Sequence, residues 1–239
     1  MKSRLGVNVD HIATLRNARG EGHPDPISYA KKVMNFGANS ITIHLREDRR
    51  HIRDEDVAIF SKIKRVPINL EMAANNEMLK IALKYKPNYV CIVPEKRNEI
   101  TTEGGLNITK NKKIIKKVIS KLNSKKIRTS LFINPNIKDV IASKELNAKC
   151  VELHTGKFAL KVKNNKNYFV EFKKIKNCAT LAKKLGMEVH AGHGLDYKST
   201  KILRKIKSIE EFNIGHFIIG EAIMFGMKKV ITNFRKILN

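Results

Sequence analysis

Residues 6–16 read GVNVDHIATLR. A β-branched run, residues 5–9, passes directly into Asp10-His11, and the turn that follows carries no GxGxxG. A doubly wound nucleotide-binding sheet ordinarily shows that glycine fingerprint after its first strand, so the stretch points to another parallel architecture. Outward from it, short β-branched runs alternate with longer amphipathic segments to the end of the chain. The strands are expected at residues 5–9, 40–45, 66–70, 89–93, 129–133, 150–153, 188–191 and 212–214. Between them the 3.6-residue pattern predicts helices at 26–36, 54–63, 76–83, 114–122, 137–143, 170–185 and 199–206, with 222–238 closing the chain. Such alternation is the pattern of parallel strands joined by helical crossovers. Eight strands in 239 residues match the size of a (β/α)8 barrel. A single barrel domain over 1–239, with extra short helices, is therefore expected. One of those extra helices should open at Gly215-His216, directly after the last strand.

Charge alone suggests nucleic acid: 48 Lys+Arg stand against 22 Asp+Glu, a net charge of +26. Yet 36 of the bases are Lys, and the chain also holds 29 Ile and 22 Asn. All three use A- and U-rich codons, so genome composition accounts for much of the excess. The lysines also gather where a helix shows its solvated face, as in KNKKIIKKVISKLNSKK (110–126), which has none of the interleaved aromatics of an RNA-binding surface. No specific nucleic-acid partner is expected. No apolar run reaches 18 residues, and the start lacks the apolar core of a signal peptide. Cys91, Cys150 and Cys178 are odd in number, far apart and in apolar contexts. They read as reduced core thiols of a cytoplasmic protein.

In a barrel of this kind the site is built at the carboxyl ends of the strands, and the histidines fall there. His11, His44, His51, His154, His193 and His216 all sit at or just past a strand end, six of the eight in the chain. A packed core needs no imidazole at so many strand ends. Glu71 and Glu152 accompany them on apolar strands, where a carboxylate is costly without a partner or ligand and where burial raises its pKa toward values useful to a general base. HExxH spacing is absent, no cysteine joins the cluster, and no metal is expected. The loop HLREDRRHI (44–52) places Arg46, Arg49, Arg50 and His51 together, with Arg16 and Arg19 following strand one in like manner. Arginine forks suit phosphate oxygens. Gly192-His193-Gly194 and Gly215-His216 lie in the loops that form the usual phosphate site of such barrels. These residues together imply small phosphorylated substrates and several proton transfers. A metal-dependent hydrolase, another phosphate-binding lyase or isomerase, and an RNA-binding module remain the alternatives.

GVNVDHIATLRNARG (6–20), HLREDRRHI, NLEMA (69–73), VPEKRNEITTEGGL (93–106), ELHTG (152–156), AGHGL (191–195) and NIGH (213–216) together resemble the pyridoxine 5'-phosphate synthase family. The resemblance implies a TIM barrel that assembles into homo-octamers, uses no cofactor and condenses 1-deoxy-D-xylulose 5-phosphate with 3-amino-2-oxopropyl phosphate. It implies His44 and Glu71 as bases, His193 as proton donor and Glu152 as transition-state stabiliser. It places the deoxyxylulose phosphate on Asp10, His11, Arg46, His51 and Thr101. The amino-ketone phosphate would meet Asn8, Arg19, Gly194, Gly215 and His216. The chain departs from the family's pattern at His190, where Asn is usual, at Phe158, where Tyr is usual, and at Asp196, where Asn or Thr is more familiar. His190 is expected to act on the pKa of nearby His193.

Overall fold

The computed structural model of the chain describes residues 2–95 and 104–239. Eight parallel strands close into a barrel in sequence order. They are β1 (Arg4–Asn8), β2 (Ser40–His44), β3 (Ile68–Met72), β4 (Tyr89–Ile92), β5 (Arg128–Ile133), β6 (Cys150–His154), β7 (Glu188–Gly192) and β8 (Glu211–Ile214). Around them lie α1 (Asp10–Arg19), α2 (Pro26–Asn35), α3 (Asp54–Phe60), α4 (Asn76–Tyr85), α5 (Ile108–Ser124), α6 (Ile137–Glu145), α7 (Gly156–Lys163), α8 (Phe169–Lys184), α9 (Tyr197–Leu203), α10 (His216–Phe225) and α11 (Met227–Leu238). The TIM barrel read from the sequence is the observed fold.

Several elements differ in detail, each for a local reason. The third strand is displaced by two residues from its expected place and carries Glu71 within it. In INLEM the alternation puts Ile68, Leu70 and Met72 on the helix layer and Asn69 and Glu71 inside, so the carboxylate continues the strand. The extra helix expected to open at Gly215-His216 is α10, which runs on to Phe225, so the closing helix expected at 222–238 begins only at Met227. Gly226 takes φ 77°, ending α10 and redirecting the chain into α11. Helices α1 and α7 were not expected: α1 buries only Asp10, Ile12, Ala13 and Arg16, and α7 is eight residues long. Helix α2 is capped by Asp25, whose carboxylate accepts from the N–H groups of Ile27 and Ser28, whereas Asp54 lies inside the first turn of α3 and Arg53 takes the N-cap position.

The apolar core lies between sheet and helices. Leu5, Val7, Ile41, Ile43, Leu70, Met72, Val90, Leu131, Val151, Leu153, Val189 and Phe212 form one cluster with the inner helix faces. Branched apolar residues usually fill the inside of such barrels. Here the inward positions are mostly polar: Arg4, Asn8, Ser40, Thr42, Asn69, Glu71, Arg128, Ser130, Glu152, Glu188, His190, Glu211 and Asn213. At the amino-terminal floor Arg4 pairs with Glu188 and Glu211, Arg128 pairs with Glu188, and the Arg128 guanidinium lies 3.9 Å from the centre of the Tyr89 ring. Charges so buried are tolerated only when paired.

The lysines of α5 behave as a solvated face, Lys112, Lys113, Lys116, Lys117 and Lys121 being exposed while Ile115, Val118, Ile119 and Leu122 are buried. All three cysteines are buried and free. Among the described residues, no helix is long and apolar enough to cross a membrane.

Candidate active site

The carboxyl ends of β1 to β4 build one wall of the barrel mouth. Asn8 ends β1, and its side chain bonds Asp10 twice, through Nδ2 to Oδ2 (2.7 Å) and from the Asp10 N–H to Oδ1 (2.9 Å). Asp10 Oδ1 in turn accepts the backbone N–H of His44 at 2.8 Å. That carboxylate ties β1 to the last residue of β2. The His44 ring is held by Glu95, whose Oε1 lies 2.8 Å from Nε2. Glu95 is itself fixed by the Glu47 N–H (2.9 Å). Burial pushes the Glu95 carboxyl up, but the bonds from His44 and the Glu47 backbone outweigh it and hold the group below its ordinary value. An ionised Glu95 accepts, so Nε2 donates to it and Nδ1 is the ring nitrogen turned away. That nitrogen lies 3.8 Å from Glu71 Oε2. Burial lifts the Glu71 carboxyl well above the carboxylate range, and Glu152, Asp10 and Glu95 push it the same way. A carboxyl whose proton affinity is raised by burial thus faces the His44 imidazole, an arrangement suited to exchanging protons.

Glu152 occupies the middle of the barrel. Its Oε2 accepts from Asn213 Nδ2 at 2.6 Å, and burial lifts its pKa to about 7 against the opposing charge of His190. The neighbouring strand must be bare for it to fit: a Cβ on Gly192 would stand 2.1 Å from Glu152 Oε1. Beyond Gly192, His193 takes φ 81°, a left-handed conformation that costs a non-glycine residue on the order of 1 kcal/mol. Thr155 Oγ1 reaches its carbonyl at 2.7 Å and that of Gly192 at 2.8 Å, helping to hold the bend. The His193 ring stacks on His154 with centroids 4.7 Å apart. Burial and the adjacent His193 depress the His154 pKa to about 4, so at neutral pH this partner is uncharged.

At the rim, Arg46 is buried with Nε 3.6 Å from Asp48 Oδ1. His51 Nδ1 accepts the Ile52 N–H at 3.1 Å and lies 3.9 Å from Asp10 Oδ1. His11 and His216 approach to 5.1 Å between ring centroids, and burial lowers the His11 pKa. Gly215 precedes α10, and Gly194 takes φ 74° in the loop between β7 and α9.

Other basic residues of the sequence reading lie elsewhere. Arg16 is clamped on Asp56 by two bonds of 2.6 and 2.8 Å and also holds the His51 carbonyl. It shapes the loop. Arg49 pairs with Asp54 and Glu77, and Arg50 pairs with Asp48. Arg19 sits at the far end of α1, highly exposed, 3.5 Å from Glu21. Thr101 lies outside the described residues. His190 turns into the barrel, where its contacts are Glu188, Arg4 and Glu211. The sequence reading did not single out Glu95 or Asn213. Each sits in a quoted motif at a strand end, the signal by which they were legible. Among the described residues, Asp10, His44 and Glu71 are a set whose ligand atoms, all within 4.8 Å, could hold a metal ion.

The family model for pyridoxal phosphate biosynthesis protein PdxJ matches residues 5–239. The chain belongs to this family. Similar proteins include pyridoxine 5'-phosphate synthase of Pelagibacter ubique, 63% identical over 236 residues and covering 99% of each chain. That of Zymomonas mobilis is 50% identical over 236 residues, covering 99% of this chain and 91% of its own. This PdxJ-family chain also superposes on tryptophan synthase from M. tuberculosis (TM-score 0.66, 8% identity, 100% and 94% coverage) and on the tryptophan synthase A-subunit from Pyrococcus furiosus (0.61, 14%, 100% and 99%). At those identities the likeness is one of fold.

Proposed function

We propose that the chain is a pyridoxine 5'-phosphate synthase, condensing 3-amino-2-oxopropyl phosphate with 1-deoxy-D-xylulose 5-phosphate and releasing inorganic phosphate and water. The observation that carries the reading is family membership over nearly the whole chain, joined to a mouth where Asp10, His44, Glu71 and Glu152 converge. In the reaction, the amine adds to a ketone and water leaves, which needs proton transfer at nitrogen and oxygen. Later losses of water and phosphate need a base at carbon and an acid at the leaving oxygen. His44 Nδ1 and Glu71 are placed for the basic steps, and His193, beside the uncharged His154, for donation. Glu152 faces the reacting centre as the carboxylate that stabilises developing positive charge.

Arg46, His51, Asp10 and His11 would hold the deoxyxylulose phosphate, with Thr101. Asn8, Gly194, Gly215 and His216 would hold the amino-ketone phosphate, the backbone N–H groups at the start of α10 taking its oxygens. Arg19, exposed at the end of α1, belongs to the same proposal through the family resemblance. A cytoplasmic homo-octamer follows from that resemblance too, and would sediment at about eight times 27.2 kDa.

The Asp10, His44 and Glu71 set favours a second reading, a metal-dependent hydrolase. One experiment separates the two. Phosphate release should require both substrates and proceed undiminished with excess chelator. Release from either substrate alone, abolished by chelator and restored by a divalent ion, would establish the hydrolase.

A further inference from the structure

One buried titratable group has no part in the chemistry above. His190 is 2% exposed and lies midway along β7, pointing into the barrel below Gly192. It is the register partner of Glu152 on β6 and of Glu211 on β8. Its Nε2 lies 3.1 Å from Glu188 Oε1 and 3.3 Å from Arg4 Nη2, and its Nδ1 lies 3.7 Å from Glu211 Oε1. The ionisable groups around it come from five strands: Arg4 on β1, Arg128 on β5, Cys150 and Glu152 on β6, Glu188 on β7 and Glu211 on β8.

Counting charge decides its state. Arg4 and Arg128 are two permanent cations, while Glu152, Glu188 and Glu211 are three carboxylates in one cluster, of which Glu152 and Glu211 are buried and Arg4, Arg128 and Glu188 half-buried. With His190 protonated the cluster is neutral. With His190 uncharged it carries one excess negative charge, which is costly where Glu152 and Glu211 are buried. Burial opposes a charge on the imidazole, and Arg128 does too, but Cys150 and Glu211 outweigh them and His190 is raised above its ordinary value.

If His190 were neutral, the excess would be relieved at the carboxylate held least firmly. Glu188 bonds both Arg4 and Arg128, and Glu211 bonds Arg4 and Ser40. Glu152 has the neutral amide of Asn213. Glu152 would take up the proton, and a protonated Glu152 cannot stabilise positive charge.

We propose that His190 is a positioning residue whose imidazolium, anchored between Glu188 and Glu211, keeps the facing Glu152 carboxylate in its ionised, working form. The inference rests on the reading of Glu152 as a charge stabiliser. It couples the barrel floor to the mouth: the Arg4–Glu188–Arg128 ion pairs anchor the cation, and the cation sets the state of the reacting site.

The test is His190→Asn in the full-length protein, with His190→Gln replacing it if the first fails to fold. An opposite charge within about 4–6 Å moves a carboxyl pKa by one or more units, and His190 is the register partner of Glu152 on the adjacent strand. The acid limb of kcat, measured with both substrates saturating, should therefore move up by about one to two pH units. Turnover should fall about tenfold at pH 7 and recover toward the wild-type value by about pH 9. A role confined to packing would instead lower kcat equally at every pH, and that result, or an unshifted limb, overturns the proposal. Infrared difference spectroscopy reads the same carboxyl without turnover. At pH 7, His190→Asn minus wild type should show a protonated-carboxyl band that vanishes when Glu152→Gln is added. No such band means that His190 does not set the state of Glu152. Glu152→Gln alone tests the underlying reading: wild-type kcat in that variant refutes Glu152 as stabiliser, whatever the spectrum shows about the coupling.

Discussion

Gly192→Ala adds one methyl group and should disable the site. The new Cβ would stand 2.1 Å from Glu152 Oε1 and 3.2 Å from the Asn213 carbonyl oxygen. Ordinary contact begins at 3.4 Å, so the carboxylate must retreat by about 1.3 Å. Its bond to Asn213 is 2.6 Å long and cannot survive that movement intact. Losing a hydrogen bond to a buried charge-bearing acceptor costs about 1.5–3 kcal/mol of stability. Displacing a reacting group by about 1 Å costs on the order of 10²-fold in rate. Steady-state kinetics with each substrate varied should show kcat down about 10²-fold, with both KM values changed less than threefold, because Gly192 is not among the residues proposed to hold the phosphates. Chemical denaturation gives the stability term. Near-normal kcat in a folded Gly192→Ala variant would show that Glu152 need not stand where it does.

Three further outcomes follow from the geometry. Glu71→Gln should cut kcat by about 10²–10⁴-fold with little change in KM, whereas Arg46→Ala should chiefly raise KM for the deoxyxylulose phosphate, by about 1.5–3 kcal/mol of lost charge-assisted bonding; an effect of Glu71→Gln on KM alone would pass the basic role to His44. Glu152 is lifted from 4.5 to about 7 in the folded chain, so its contribution to stability is full below pH 4.5 and is lost as pH rises through 7, by about 3 kcal/mol. The advantage of Glu152→Gln over wild type in denaturation midpoint should therefore grow from pH 5 to pH 8, and a pH-independent difference would mean that the folded carboxyl titrates normally. Arg16→Met should destabilise by about 3 kcal/mol, since it leaves the buried Asp56 carboxylate only the Arg53 N–H as a partner, and equilibrium unfolding against Arg50→Met, a surface control, measures it.

The candidate site was legible in the sequence because strand ends are legible. β-branched runs fix where each strand stops, and the barrel places every stop at one mouth, so His44, His154 and His193 could be gathered before any coordinates. Pairing was harder to see. Arg16 and Arg46 are alike in sequence, both basic and just past a strand, yet one is clamped on Asp56 and the other lies buried at the rim. Which carboxylate an arginine meets depends on helix packing between α1 and α3, information no local pattern holds. The direction of His190 was missed for a related reason. Sequence proximity suggested His193, but a strand turns alternate residues to opposite faces, and the bend at His193 removes it from that alternation. The shift of β3 shows the same limit: in a barrel lined with polar groups, a glutamate continues a strand that hydrophobicity alone would end.

The most direct measurement is product formation. Purified protein incubated with 1-deoxy-D-xylulose 5-phosphate and 3-amino-2-oxopropyl phosphate, in the presence of chelator, should yield pyridoxine 5'-phosphate, identified by mass and by the absorbance of its pyridine ring. One inorganic phosphate should appear per ring closed, and Glu71→Gln should suppress both together. Turnover of the two phosphates without the pyridine product, or no turnover by folded protein, would contradict the account.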